Sequence, residues 1–174
     1  MTSERGGRVI AGPGVRPFEV ADHRCFACGS LNEHGIRLVL HVERGRSWTE
    51  LELEPQFEGW AGIAHGGILC TILDEVMAWA LVGEENWGLT ARLSVQFRKP
   101  VPTGRPIRAE GAVTRNRRRV VETSGRIVDA IGGELLATAT GTYMAADVSR
   151  RAELQQRYGF RYLDRLAALA GAPR

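Results

Sequence analysis

The chain has 174 residues, 23 of them basic and 20 acidic, with 44% hydrophobic and 25% charged. This is the composition of one ordinary globular domain, long enough to bury most of the surface its unfolded form exposes. A formal net charge of +3 suits an anionic small molecule, whereas a nucleic-acid binder would need a larger basic surface interleaved with aromatic residues. Three cysteines give no disulfide framework.

Residues 1–20 begin glycine-rich, lack the apolar core of a signal peptide and read as a flexible tail, so a cytoplasmic protein is expected. Residues 21–34, DHRCFACGSLNEHG, read as an irregular loop. In it Cys25 and Cys28, with His23 and His34 nearby, have the C-x-x-C spacing of a zinc site. Four such ligands in one loop, with no second knuckle, match a zinc site weakly, so a packed loop without metal is the expectation. Strand-like alternation starts at Ile36 (IRLVLHVE) and resumes after Arg44-Gly45-Arg46 as SWTELELE.

The loop PQFEGWAGIA leads to the most telling stretch, His65 to Val82. From Ile68 nearly every side chain is apolar, the pattern of a helix wrapped by other elements. It is too short, and too acidic at its centre, to span a bilayer. Asp74 and Glu75 stand where a sequence selected only to fold would carry Leu or Ala, because ionised carboxylates are seldom buried unpaired. The two glycines after His65 open the backbone, and free N–H groups at a helix start suit a polarised carbonyl. Gly66 and Asp74 are eight residues apart, which is roughly 12 Å along a helix axis. One copy of the helix therefore cannot bring both to one reacting carbonyl, whereas two antiparallel copies about a two-fold axis can. The spacing predicts a homodimer with composite sites.

Beyond the helix, LTARLSVQF alternates cleanly, with Leu89, Ala91, Leu93, Val95 and Phe97 facing one way and Thr90, Arg92, Ser94 and Gln96 the other. After KPVPTGRP, the runs IRAEGAVTR, VVETSGRIVDA and ELLATATGTYMAA read as an antiparallel meander. Arg150 to Ala170 has helical periodicity through Leu154, Tyr158, Leu163, Leu166 and Leu169. The predicted class is α+β, a curled antiparallel sheet around one long central helix with a C-terminal helix appended.

Three segments resemble the hotdog-fold acyl-CoA thioesterases of the phenylacetic-acid-degradation (PaaI) and 4-hydroxybenzoyl-CoA types: CFACGSLNEHGIRL (25–38), GIAHGGILCTILDE (62–75) and LTARLSVQFRKPVPTG (89–104). The resemblance implies a hotdog domain over 21–146, followed by a helical extension over 147–174. It also implies an acyl-CoA substrate, aryl or medium-chain fatty, hydrolysed to free acid and coenzyme A without a further cofactor. In such proteins the residue at Gly66 offers its N–H to the thioester oxygen, and the acid at Asp74, from the partner subunit, acts as general base or nucleophile. His65 orients the thioester or fixes the helix start, and Thr90 holds the attacking water. The alternation places Thr90 on the face away from the helix unless a bulge intervenes. Some members carry Asn where this chain has Gly59.

Gly67, Glu75 and Trp60 complete the expected substrate contacts, with Glu75 turned about 100° from Asp74 toward the dimer interface or an arginine. Trp60, Trp79, Met77 and Phe57 could line an acyl pocket. The arginines Arg117, Arg118 and Arg119, beside Arg115, read either as a solvated hairpin tip or as contacts for the phosphates of coenzyme A. Whether dimers pair into tetramers is open. The alternative function is an acyl-CoA-binding hotdog that senses its ligand without turnover, although a pure binder has no need to bury an acid. A hotdog hydratase would need an Asp and His pair on one overhanging segment, which the chain lacks.

Overall fold

A computed structural model describes residues 8–117 and 119–163. In chain order the elements are β1 (Arg8–Ile10), β2 (Phe18–Val20), β3 (His41–Glu43), β4 (Arg46–Glu52), β5 (Glu58–Trp60), β6 (Ile63–Ala64), α1 (Gly66–Val82), β7 (Gly88–Phe97), β8 (Pro106–Arg117), β9 (Val120–Asp129), β10 (Leu135–Ala145), α2 (Val148–Arg157) and β11 (Arg161–Tyr162). The six-stranded main sheet runs β3-β4-β8-β9-β10-β7, every neighbouring pair antiparallel. The meander β8-β9-β10 is as the sequence predicts. β7 lies beside β10 rather than β8, so the chain crosses from one margin of the sheet to its middle after β7.

The sheet curls around α1 without closing into a barrel. Ile72, Leu73, Val76, Met77 and Ala80 are wholly inaccessible, and each such side chain contributes roughly 1.5–3 kcal/mol of burial energy for the larger ones. They repeat at i, i+1, i+4, i+5 and i+8, so one broad helix face meets the sheet. The opposite flank, Thr71, Asp74, Glu75, Ala78 and Trp79, is only half-buried. A single chain therefore does not wrap the helix all round, as its apolar sequence led one to expect. The closest approach is at Gly111 of β8, where a Cβ would overlap the carbonyl of Val76. Ser47 of β4 donates its hydroxyl to that same carbonyl, so two strands fix this turn of the helix.

Three segments differ from their predicted form. Residues 8–20 are not a loose tail, for β1 and β2 pair with β11 in a small second sheet. Ile10, Phe18 and Val20 are buried there with Val42, and Phe160 stacks on Phe18 at 4.6 Å. The strand expected from Ile36 starts only at His41, because Ile36 and Leu38 donate their N–H groups to Phe26 and Ala27 in the cysteine loop instead of to a ladder. The C-terminal helix ends at Arg157, since Gly159 takes φ +55 and turns the chain back into β11. Leu166 and Leu169 lie outside the described residues.

Candidate active site

Asp74 sits midway along α1, on the flank facing β7 and β10. Its Oδ1 accepts hydrogen bonds from Thr90 Oγ1 at 2.9 Å and from Tyr143 OH at 2.8 Å. Among the described residues its Oδ2 accepts none, so one carboxylate oxygen is held and the other is left for a water or a substrate atom. The Tyr143 hydroxyl also lies 3.0 Å from the Asp74 carbonyl oxygen, tying side chain and helix backbone to one donor. Burial, then the neighbouring Asp74 charge, raises the Tyr143 pKa, which keeps the phenol a proton donor at every working pH.

Thr90 reaches Asp74 through a β-bulge. On β10, Thr142 and Tyr143 are consecutive, but on β7 they face Arg92 and Thr90, so Ala91 has no partner. The extra residue reverses the alternation seen further along β7, where Leu93 and Val95 point at the helix, and brings Thr90 round to the same face. Thr90 and Tyr143 are thus a cross-strand pair aimed at one carboxylate. Tyr143 was not singled out in the sequence. The available signal is its place at the end of an inward row of small residues, Ala137, Ala139 and Gly141, where a buried phenol must find a partner.

His65 caps α1: its Nδ1 accepts the Gly67 N–H at 2.9 Å. The Gly67 N–H is therefore engaged by the protein and does not face a substrate. The Gly66 N–H makes no hydrogen bond among the described residues, and Phe97 covers the glycine from β7. A Cβ at Gly59 would stand 3.0 Å from the His65 ring and 3.1 Å from its Cα, so the histidine occupies the space that an asparagine there would need. Trp60, at 86% exposure, contacts solvent rather than a pocket.

Glu75 turns away from Asp74, as the helical angle requires, but meets no arginine among the described residues. Trp79 Nε1 donates to its Oε1 at 2.8 Å, and Cys25 Sγ lies 4.0 and 3.9 Å from its two oxygens. Burial, then the nearby Cys25, pushes the Glu75 carboxyl up to about 7. The Cys25 thiol is pulled down to about 5, first by a hydrogen bond from Cys28 and also by the N–H groups of Cys28 and Ala27, against the opposing effect of burial. The Cys28 thiol is raised by that same bond and by burial. The loop packs onto Glu75.

Arg117 ends β8 and Arg119 lies in the turn that follows, both exposed, while Arg118 lies outside the described residues. This turn is close to the Asp74 end of β10: Val121 pairs with Tyr143, and Ala145 donates its N–H to the Arg119 carbonyl at 3.0 Å. A groove of about 670 Å³ is on the sheet face opposite α1. Arg108 pairs there with Glu50 at 2.7 Å and Glu110 with Arg126 at 2.6 Å, while Arg46, also in the lining, has no salt bridge among the described residues.

The segment 61–136, which contains α1 with Asp74 and β7 with Thr90, matches the family model described as the thioesterase superfamily. A protein of Saccharolobus solfataricus with an esterase designation is 30% identical over 107 residues, covering 60% of this chain and 75% of its own. The chain belongs to the thioesterase superfamily. A thioesterase superfamily protein of known crystal structure is 26% identical, with a TM-score of 0.67 over 72% of this chain. This chain spans 65% of that one, just under two thirds. The Escherichia coli PaaI protein of the phenylacetic acid degradation operon, 18% identical over 59% of this chain and 77% of its own, superposes with a TM-score of 0.56. The curled sheet about α1 is the hotdog fold of these thioesterases. Among the described residues no helix is long and apolar enough to cross a membrane.

Proposed function

We propose that the protein hydrolyses an acyl-coenzyme A thioester, aryl or medium-chain fatty, as a homodimer with Asp74 as the reactive carboxylate. The observation that carries this reading is the Asp74 geometry. Thr90 and Tyr143 hold Oδ1, and Oδ2 is left to deprotonate a water or to attack the thioester carbon directly. As the tetrahedral intermediate forms, its oxyanion needs a donor already in place, and the Gly66 N–H at the positive end of α1 fits that need. In the water route the thiolate of coenzyme A then leaves, taking from the carboxyl the proton that came off the water. In the direct route it leaves and is protonated by solvent, and water hydrolyses the acyl–Asp74 anhydride to the free acid and the carboxylate. His65, by capping Gly67, fixes the peptide that presents the Gly66 N–H.

The two groups belong to one helix of 17 residues and lie too far apart along it for a single carbonyl, which favours donation between two subunits. β7 supports this. It is a ten-residue edge strand, with Leu89 61% and Phe97 54% exposed, and such an edge favours pairing with a second copy.

Two similarities support the substrate and the residues. A solved structure of a Streptococcus mutans protein, 18% identical with a TM-score of 0.60, is bound to acetyl-CoA. A Streptococcus pneumoniae thioesterase has been solved as an Asp-to-Ala and as a Thr-to-Ala mutant at positions sixteen residues apart, the separation of Asp74 and Thr90 here.

The test is release of free thiol from a panel of aryl- and fatty-acyl-CoAs. Turnover of one class well above the others is expected, and tight binding with no thiol released would show a sensor instead. The arginine turn is tested in the same assay. Replacing Arg117, Arg118 and Arg119 with Ser should raise KM for acyl-CoA severalfold while leaving a truncated acyl-pantetheine thioester unaffected. Equal effects on both substrates would reduce the run to a solvated tip.

A further inference from the structure

The thiols of Cys25 and Cys28 and the Glu75 carboxylate come from segments 50 residues apart, yet their donor atoms all lie within 4.8 Å of one another. A fourth donor is close, for His23 Nε2 lies 4.0 Å from Cys28 Sγ. We propose that Cys25, Cys28, Glu75 and His23 form a tetrahedral site for a divalent ion of the zinc class, clamping the loop 21–34 to α1 one residue from Asp74. This site is independent of the hydrolytic reading.

The donor chemistry selects the ion. Two thiolates with an imidazole and a carboxylate suit zinc and its borderline neighbours, and exclude magnesium and calcium, which take oxygen ligands. The distances also fit. With about 2.3 Å from zinc to sulfur and about 2.0–2.1 Å to nitrogen or oxygen, donors at tetrahedral corners stand about 3.3–3.8 Å apart. The contacts of Cys25 Sγ with Glu75 Oε2 at 3.9 Å and of Cys28 Sγ with His23 Nε2 at 4.0 Å need to close by only a few tenths of an ångström, whereas His23, outside the group of three whose donors all lie within 4.8 Å, has to swing further in to complete the set.

The loop is built around these sulfurs. The neighbouring N–H groups of Cys28 and Ala27 help to hold the Cys25 thiol down, which favours a thiolate. Gly29 donates its N–H to the Cys25 carbonyl at 2.9 Å, at a position where any Cβ would collide with the Cys25 and His23 backbones. Trp79 orients the Glu75 carboxylate by holding Oε1, which leaves Oε2 for the ion. Glu75 has no Lys or Arg ion pair among the described residues, so a cation supplies the charge that the cluster lacks. A cavity of about 190 Å³, lined by His23, Cys25, Cys28, Glu75 and Trp79, gives the ion a way in and the displaced thiol protons a way out to solvent. His23 Nδ1 takes the Cys25 N–H at a long 3.3 Å, a contact released when ligation by Nε2 shifts the ring proton to Nδ1. In the sequence these loop residues match a zinc site only weakly, because the carboxylate comes from the helix rather than from a second knuckle.

The full chain, purified under reducing conditions, should contain or take up one equivalent of zinc, and chelation should lower its melting temperature. Cobalt in its place should show thiolate-to-cobalt charge transfer and intense tetrahedral d–d bands. Cys25→Ser with Cys28→Ser should abolish uptake and Glu75→Gln should weaken it at least tenfold, while His34→Ala should leave it unchanged. No uptake of either metal by the reduced protein overturns the proposal. Uptake without the charge-transfer band, or recovery of the pair only as a Cys25–Cys28 disulfide that reduction does not convert into a metal-binding form, also overturns it. The cobalt spectrum decides even if the double variant does not fold.

Discussion

Asp74 and Tyr143 form the contact on which the site rests, and the two side chains make different predictions. Asp74→Ala should lower kcat by about 10²–10⁴, the range for loss of a positioned acid–base group. Its melting temperature should hold or rise, because the Tyr143 hydroxyl keeps the residue-74 carbonyl as partner and a partly buried charge has gone. A large fall in melting temperature would mean that the carboxylate serves structure. Tyr143→Phe removes a hydrogen bond to a charged group, worth about 1.5–3 kcal/mol, so kcat should fall by about tenfold to a hundredfold with little change in KM. An unchanged kcat would show that Thr90 alone positions the acid. Asp74 was legible in the sequence because a carboxylate inside an apolar helix contradicts folding preference. Tyr143 and the Cys25–Cys28–Glu75 cluster were not, because each depends on a partner on an element brought near only by the fold.

Among the elements, α1 and the meander were legible from their periodicities, 3.6 residues in one case and two in the other. The bulge at Ala91 was not. Clean alternation in LTARLSVQF hides an extra residue, and only pairing with β10 reveals that Thr90 and Leu93 share a face. The small sheet of β1, β2 and β11 was also hidden, since its strands have two or three residues and draw their stability from Trp79 and Phe160 elsewhere. The α1–β8 contact gives a prediction at this scale. Gly111→Ala puts a methyl into the Val76 carbonyl, a backbone group that cannot rotate away. Destabilisation at the upper end of the usual overpacking range, about 1–3 kcal/mol, is expected from urea denaturation. Val76 is two residues from Asp74, so kcat should fall as well. Parental stability would show that the helix shifts freely on the sheet, contrary to the double hold by Ser47 and Gly111.

At the scale of the whole molecule, a single chain has the acid and the donor of α1 in the wrong relation for one substrate, and the edge strand β7 beside them. The axial rise of about 1.5 Å per residue keeps Gly66 and Asp74 roughly 12 Å apart, so the proposed dimer makes each subunit half of two sites. Complementation tests this directly. One chain carries Asp74→Ala. The other carries Gly66→Pro, which deletes the donor N–H yet suits the first position of a helix. Each homodimer should be inactive. In a heterodimer one composite site receives both defects, and the other joins the intact Asp74 of one chain to the intact Gly66 of the other. If equal amounts exchange at random, half of the dimers are mixed and each has one working site, so about a quarter of parental activity should return. If both variants fold and exchange subunits but the mixture stays inactive, the acid and the helix start do not meet across a two-fold axis. Asp74 would then act with a donor from its own chain, and the exposed edge of β7 would need another explanation.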